Sequence, residues 1–227
     1  MKNMATHQLN PMFKTSMVKN YKTQQQQPPR TQRFHVFNNV TTSSTTTTTM
    51  SGRKLIESGT VKAILPKEAS SAMNSEGFIL LDVRPKWEAE KARVVGSVHV
   101  PIFVEDTDNS PVTLLKKWVH FGYIGLWTGQ NLTTLNPEFL GQVEVAIPDK
   151  ASKVLVACGE GLRSMTAASK LYNGGYRNLA WLAGGFGRSK DDDFPAIEGT
   201  EKLQYATIGG VSYYFLQLLI LLQAVGK

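Results

Sequence analysis

The stretch KVLVACGEGLRSMTAASKLYNGGY, residues 153–176, limits most strongly what this chain can fold into. Residues 154–157 are a short apolar, β-branched run, the pattern of a buried strand. Residues 164–173 are rich in alanine, with Met165, Ala168 and Leu171 at helical spacing, and Gly174 and Gly175 are fit to end a helix. Between strand and helix stand Cys158, Gly159, Glu160, Gly161, Leu162 and Arg163. A cysteine at the end of a buried strand, facing a helix N-terminus across a glycine-bearing loop, meets free backbone N–H groups and the positive end of the helix dipole. Both stabilise a thiolate. Arg163 adds a fixed positive charge at the same mouth.

The flanking sequence repeats the strand–helix alternation. Residues 55–65 mix β-branched and small residues and predict a first strand. Pro66 opens a short helix over residues 67–74, at a first-turn position that tolerates proline. Residues 78–82 are nearly continuously apolar, as in a parallel strand covered on both faces, and Asp82 falls at its C-terminal end. Open α/β sheets carry their functional groups at such ends. Residues 87–92 predict a short helix, residues 97–100 a strand stopped by Pro101, residues 137–145 a helix and residues 178–182 the last strand. Asp191 to Asp193 reads as a solvated turn. The alternation predicts a parallel α/β sheet with right-handed crossovers. Between Phe103 and Pro148 the connection is longer than needed. It contains KKWVHFGYIGLWTG, from Lys116 to Gly129, whose aromatics predict either a helix pair packed over the sheet or, beside the cysteine, a lid or a docking surface for a protein partner.

Three motifs together resemble the rhodanese family, over about residues 55–195. CGEGLRS resembles its active-site loop, Cys-x-x-Gly-x-Arg-Ser, matched at Cys158, Gly161, Arg163 and Ser164. Upstream, LLDVRPKWEAEKARVVGSVHVP is similar to its strand, Asp-x-Arg, acidic helix and glycine–strand–proline signature. Downstream, LAWLAGGFGR is similar to the strand and double glycine after the catalytic helix. The resemblance implies an α/β fold with about five parallel strands and helices on both faces. It implies that Cys158 takes sulfane sulfur from a donor, becomes a persulfide and passes the sulfur to a thiol or protein acceptor, a double displacement. The N–H groups from Gly159 to Arg163, with Glu160, Gly161 and Leu162 between, would hold the persulfide anion. Arg163 would orient an anionic donor, Gly161 would allow close backbone approach and Ser164 would cap the helix. Asp82 and Arg84 are expected to pin the strand end near the loop rather than to react. Four residues separate Cys158 from Arg163, where related cell-cycle phosphatases carry five around a wider phosphate cradle, so the spacing favours sulfur transfer. Glu160 argues against thiosulfate: a carboxylate within ~6 Å opposes a dianionic donor and disfavours the thiolate. A thiol persulfide or a protein partner is the expected donor.

Charge and composition place the rest. The net charge of +7 sits at the N-terminus, where residues 1–50 hold six Lys or Arg and no Asp or Glu, and residues 51–227 carry a net of only +1. No basic face for nucleic acid follows. Residues 1–50, with glutamines at 24–27 and a Ser/Thr tract at 41–49, have the composition of a transit peptide, for chloroplast rather than mitochondrion. The other reading is a disordered tail. Residues 51–205 are then the domain. The single cysteine excludes an internal disulfide and a cysteine-based metal cluster, and His7, His35, His99 and His120 show no ligand spacing, so no metal or cofactor is expected. Residues 206–227 form a hydrophobic segment. From Leu203 to Gly226 there is no charge, and those residues as one helix would reach across ~30 Å of hydrocarbon, which predicts an anchor in a thylakoid or envelope membrane. A buried or surface-lying terminal helix is the alternative. Two functions remain open: a chloroplast sulfurtransferase, or a non-enzymatic, membrane-tethered interaction module.

Overall fold

The computed structural model describes residues 50–225, so all of the transit-peptide stretch except Met50 lies outside the described residues. The described residues contain β1 (Lys62–Ile64), β2 (Ile79–Asp82), β3 (Ala92–Val94), β4 (Val98–His99), β5 (Phe103–Glu105), β6 (Thr133–Leu135), β7 (Val154–Ala157), β8 (Leu179–Leu182) and β9 (Ile197–Gly199). The helices are α1 (Gly52–Glu57), α2 (Pro66–Asn74), α3 (Lys86–Ala89), α4 (Pro111–His120), α5 (Leu126–Thr128), α6 (Phe139–Ala146), α7 (Leu162–Asn173) and α8 (Gly210–Val225). Five strands form a parallel sheet in the order β1-β8-β7-β2-β4. Its register sets Asp82 beside both His99 and Ala157, so three strands end side by side directly before Cys158.

Period-two alternation along buried strands divides the core in two. Leu81, Val83, Val154, Val156 and Cys158 face α1, α6 and α7 through Leu55, Phe139, Val143, Ala167 and Leu171. Leu80, Leu155, Ala157, Ala180 and Leu182 face α2, Phe186, Phe194, Leu203 and Ala206. The parallel α/β sheet is as the alternation predicted, and five strands with helices on both faces are as the resemblance implied.

Four segments differ from the sequence expectation. The strand expected over residues 55–65 is α1 followed by the short β1, because Ser51 caps a helix whose Leu55 is buried against α7. Gly52 makes this contact possible: a Cβ there would lie 2.0 Å from the Met165 carbonyl oxygen. The helix expected over residues 87–92 stops at Ala89, and Ala92–Val94 instead pairs with β9 in an antiparallel ribbon. The aromatic insertion is not a helix pair over the sheet. It is a hairpin, β5 with β6, enclosing one helical run in which α4 passes through a π-helical turn (Phe121–Gly125) into α5. Most of its large apolar side chains are exposed, Trp118 at 75% and Tyr123 at 82%.

The predicted membrane anchor is corrected. Among the described residues no helix is long and apolar enough to cross a membrane. The uncharged run is divided: Leu203–Tyr205 is a 3-10 turn, Leu203 and Ala206 are buried in the core, and the helix starts only at Gly210. Its 16 residues reach roughly 24 Å at 1.5 Å each, short of a ~30 Å hydrocarbon layer. Instead α8 seats its first turn on the end of α5. Gly129 and Gly210, both at positive φ, bring the two backbones together; a Cβ on Gly210 would stand 2.4 Å from the Leu126 carbonyl oxygen.

Candidate active site

Cys158 follows β7 and is buried. Its Sγ accepts the backbone N–H groups of Gly161 (3.1 Å) and Ser164 (3.3 Å), and its thiol donates to Ser164 Oγ (3.3 Å). These are the free donors of the first turn of α7, aimed at the sulfur. Gly161 makes the turn possible. It adopts a left-handed conformation (φ +94°), and a Cβ would lie 2.9 Å from the Trp181 ring. The Trp181 indole N–H donates to Gly161 O (2.9 Å) and Ser164 Oγ (3.1 Å), which locks the loop from β8. On the other side, Phe186 N–H donates to Cys158 O and Gly187 N–H to Gly159 O, so the turn that follows the double glycine holds the loop by its backbone.

Ser164 does not cap α7. Gly161 is the capping position, and Ser164 lies inside the first turn, where its hydroxyl donates to Gly161 O (2.8 Å) while accepting from Trp181. Arg163 is not a free cation. It makes a two-pronged ion pair with Glu88 (2.8 and 2.6 Å), whose side chain is 1% exposed. Burial alone pulls the Arg163 guanidinium down; the hydrogen bond and charge of Glu88, then Cys158, outweigh it and hold it above the ordinary arginine value. Gln130, from the insertion, donates to Glu88 Oε1 (3.2 Å) and to Thr207 O (3.1 Å), which ties the arginine clamp to the segment entering α8.

Asp82 and Arg84 form a fully buried pair. Arg84 Nη2 donates to Asp82 Oδ2 (2.6 Å) and Ala92 O (2.7 Å), and the guanidinium stacks 4.5 Å over the Phe186 ring. Phe186 N–H binds Cys158 O, so the pair touches the loop through one intervening residue.

Beside the sulfur lies a cavity of about 670 Å3. Cys158, Glu160, Leu162 and Arg163 line one side, Thr128 and Gln130 another, and Thr207, Ile208, Ser212, Phe215, Leu216 and Leu219 the third. Cys158 lines this cavity although the residue has no exposed surface. Gly159 stands behind the wall, close to Thr207. Of the loop residues named from the sequence, Cys158, Glu160, Leu162 and Arg163 line the cavity, Gly161 and Ser164 meet the sulfur through their N–H groups, and Asp82 and Arg84 stand one layer behind.

Sequence reasoning missed Glu88, Gln130, Trp181, Thr207 and the α8 wall. Glu88 and Glu90 stand two apart on a helix and so point to different faces. That signals that one faces inward without saying which. Gln130 and Thr207 carry no local signal, since only tertiary folding brings them together.

The family model described as Rhodanese-like domain matches residues 65–191. The chain is 64% identical over 178 residues to Rhodanese-like domain-containing protein 10 of Arabidopsis thaliana, covering 78% of this chain and 83% of that protein. It is 42% identical over 160 residues to the Arabidopsis thaliana protein named Rhodanese-like domain-containing protein 11, chloroplastic, covering 70% of this chain and 54% of that one. Among solved structures, a rhodanese-like domain protein from Staphylococcus aureus is 14% identical, with a TM-score of 0.38, covering 62% of this chain and all of that one (100%).

Proposed function

Since the chain belongs to the rhodanese-like family, we propose that it is a sulfurtransferase whose Cys158 carries sulfane sulfur as a persulfide. The observation that carries this reading is the aim of the Gly161 and Ser164 N–H groups at Sγ, beside a cavity large enough for a donor. The Cys158 thiolate attacks the outer sulfur of the donor. A new S–S bond forms, the donor's own bond to that sulfur breaks, and the electron pair leaves with the donor remnant. The N–H groups then bind the persulfide sulfur through fixed dipoles that need no rearrangement. A thiol acceptor attacks the outer sulfur in turn and regenerates the Cys158 thiolate.

Arg163 lies at the same wall, but its charge is shared with Glu88. Its part in this reading is to hold the loop and the cavity wall. Asp82 and Arg84 support the loop through Phe186. The acid-free composition of residues 1–50 and the word chloroplastic in the names of two relatives support a plastid location.

The test is intact mass of the full chain after incubation with thiosulfate and, separately, glutathione persulfide. The expected result is a gain of one sulfur atom, removed by added thiol and absent in Cys158→Ser. No gain with either donor overturns the reading. The exposed Trp118 and Tyr123 favour a second reading, in which the insertion binds a protein partner. The two readings separate in Trp118→Ser/Tyr123→Ser, which is expected to load sulfur at the wild-type rate.

A further inference from the structure

The cavity is asymmetric. Glu160, Arg163, Thr128 and Gln130 give it polar lining, while Ile208 and Phe215, Leu216 and Leu219 of α8 give it apolar lining beside Thr207 and Ser212, and Leu162 is exposed. Phe215, Leu216 and Leu219 share one helical face by their spacing of one, three and four. The charges add to the picture. Arg163 is matched by Glu88, and Glu160 has no ion-pair partner among the described residues. The balance at the wall is therefore negative. A small dianion would find no unmatched cation on this wall and no use for the apolar face. The neighbouring cavity, which shares Glu160, Thr207 and Ile208, contains Arg188, which does not line the cavity beside Cys158.

Building on the sulfur-carrier reading, we propose that the donor is an organic persulfide, R–S–SH with an apolar R group, and that α8 is the specificity wall against which R packs. The volume fits: about 670 Å3 is far more than a thiosulfate ion occupies and lies within the range of cavities that enclose small organic ligands. The arrangement fits as well, since the sulfur to be transferred must reach the buried Cys158 while R remains beside the apolar residues of α8. The transfer balances as Cys158–S⁻ + R–S–SH → Cys158–S–SH + R–S⁻. The bond between the two donor sulfurs breaks, the Cys158 S–S bond forms, the proton stays on the transferred sulfur and R–S⁻ leaves. No outside oxidant or reductant is needed.

The experiment uses the full chain and three probes at equal concentration: thiosulfate, cysteine persulfide and benzyl persulfide. The rate of one-sulfur gain on Cys158 is read by intact mass. Each rate is divided by the rate of the same donor with the free thiol of N-acetylcysteine, which cancels intrinsic reactivity. Benzyl persulfide is expected to exceed both others by about tenfold or more, the scale on which an apolar pocket discriminates. Phe215→Asn and Leu219→Asn should each erase most of that preference. Both side chains are more than half exposed (59% and 58%), so neither change removes a core contact. Leu219→Met should keep the preference. Loading by all three donors with equal normalised rates, or a preference indifferent to both Asn variants, overturns the donor assignment and leaves the sulfur-carrier reading intact. Absence of loading from every donor overturns both.

Discussion

At the scale of single residues, the site is held by polar groups that satisfy one another. Glu88 is the centre of this arrangement, taking both prongs of Arg163 and the Gln130 amide at a side chain that is 1% exposed. Removing it in Glu88→Ala strands a guanidinium whose side chain is only 24% exposed. Breaking a fully buried pair costs roughly 3–5 kcal/mol, and partial solvation of Arg163 lowers the expected loss to about 2 kcal/mol in urea unfolding. The isosteric Glu88→Gln tests the charge. It leaves Arg163 an unmatched cation at the cavity, so loading from thiosulfate should rise relative to loading from cysteine persulfide. An unchanged ratio would show that Arg163 does not face the donor. Trp181 is the second centre. Trp181→Phe removes the N–H shared by Gly161 O and Ser164 Oγ, and the loop loses about 1 kcal/mol because the Ser164 hydroxyl still serves Gly161 O. A several-fold slower sulfur loading at unchanged donor preference should accompany it. Cys158, Gly161 and Arg163 were legible because strand, glycine and helix start are local patterns. Glu88 and Trp181 were not, since their roles depend on contacts 75 and 17–20 residues away along the chain.

At the scale of elements, legibility followed the period of the pattern. Residues 78–82, 154–157 and 178–182 are short, apolar and flanked by turn signals, and each contains a central strand. The sequence around α1 has the same β-branched character, yet its Ser51 cap and the Gly52 contact with α7 give a helix. A three-residue edge strand such as β9 carries too little pattern to be read alone. The start of α4 shows how a loop fixes a helix. Asp108 accepts from Thr113 Oγ1 (2.6 Å), Ser110 Oγ (2.8 Å) and Ser110 N–H (3.0 Å). The Thr113 bond first, then the two Ser110 bonds, hold the Asp108 carboxyl down at about 2, below its ordinary 3.8. A depressed carboxyl stabilises above its unfolded value and loses that contribution as pH falls through the folded one. The first turn of α4 should therefore be intact above about pH 4 and open progressively toward pH 2. Amide hydrogen exchange at residues 112–115 reads this directly, and Asp108→Asn should show weak protection with little change over the same interval.

At the scale of the whole molecule, the fold separates what makes the domain stable from what encloses the cavity. Neither hydrophobic cluster extends past Ala206, and no residue of α8 is buried. An isolated 16-residue helix is only marginal in water, so α8 owes its order to the backbone seat between Gly129 and Gly210 and to the lysine bond from Lys91 Nζ to Ile208 O (2.7 Å). Truncation after Ile208 keeps every core residue together with the Lys91 and Gln130 bonds to residues 207 and 208. The thermal midpoint of the truncated chain should fall by less than about 3 °C, the shift expected from a loss under 1 kcal/mol in a domain of this size. The cavity should change far more than the stability. Without Phe215, Leu216 and Leu219, sulfur loading of Cys158 should persist while its dependence on the donor's R group disappears. A large fall in the midpoint would instead make α8 part of the folding unit, and the apolar wall would then be a by-product of packing rather than a separable device for choosing the donor.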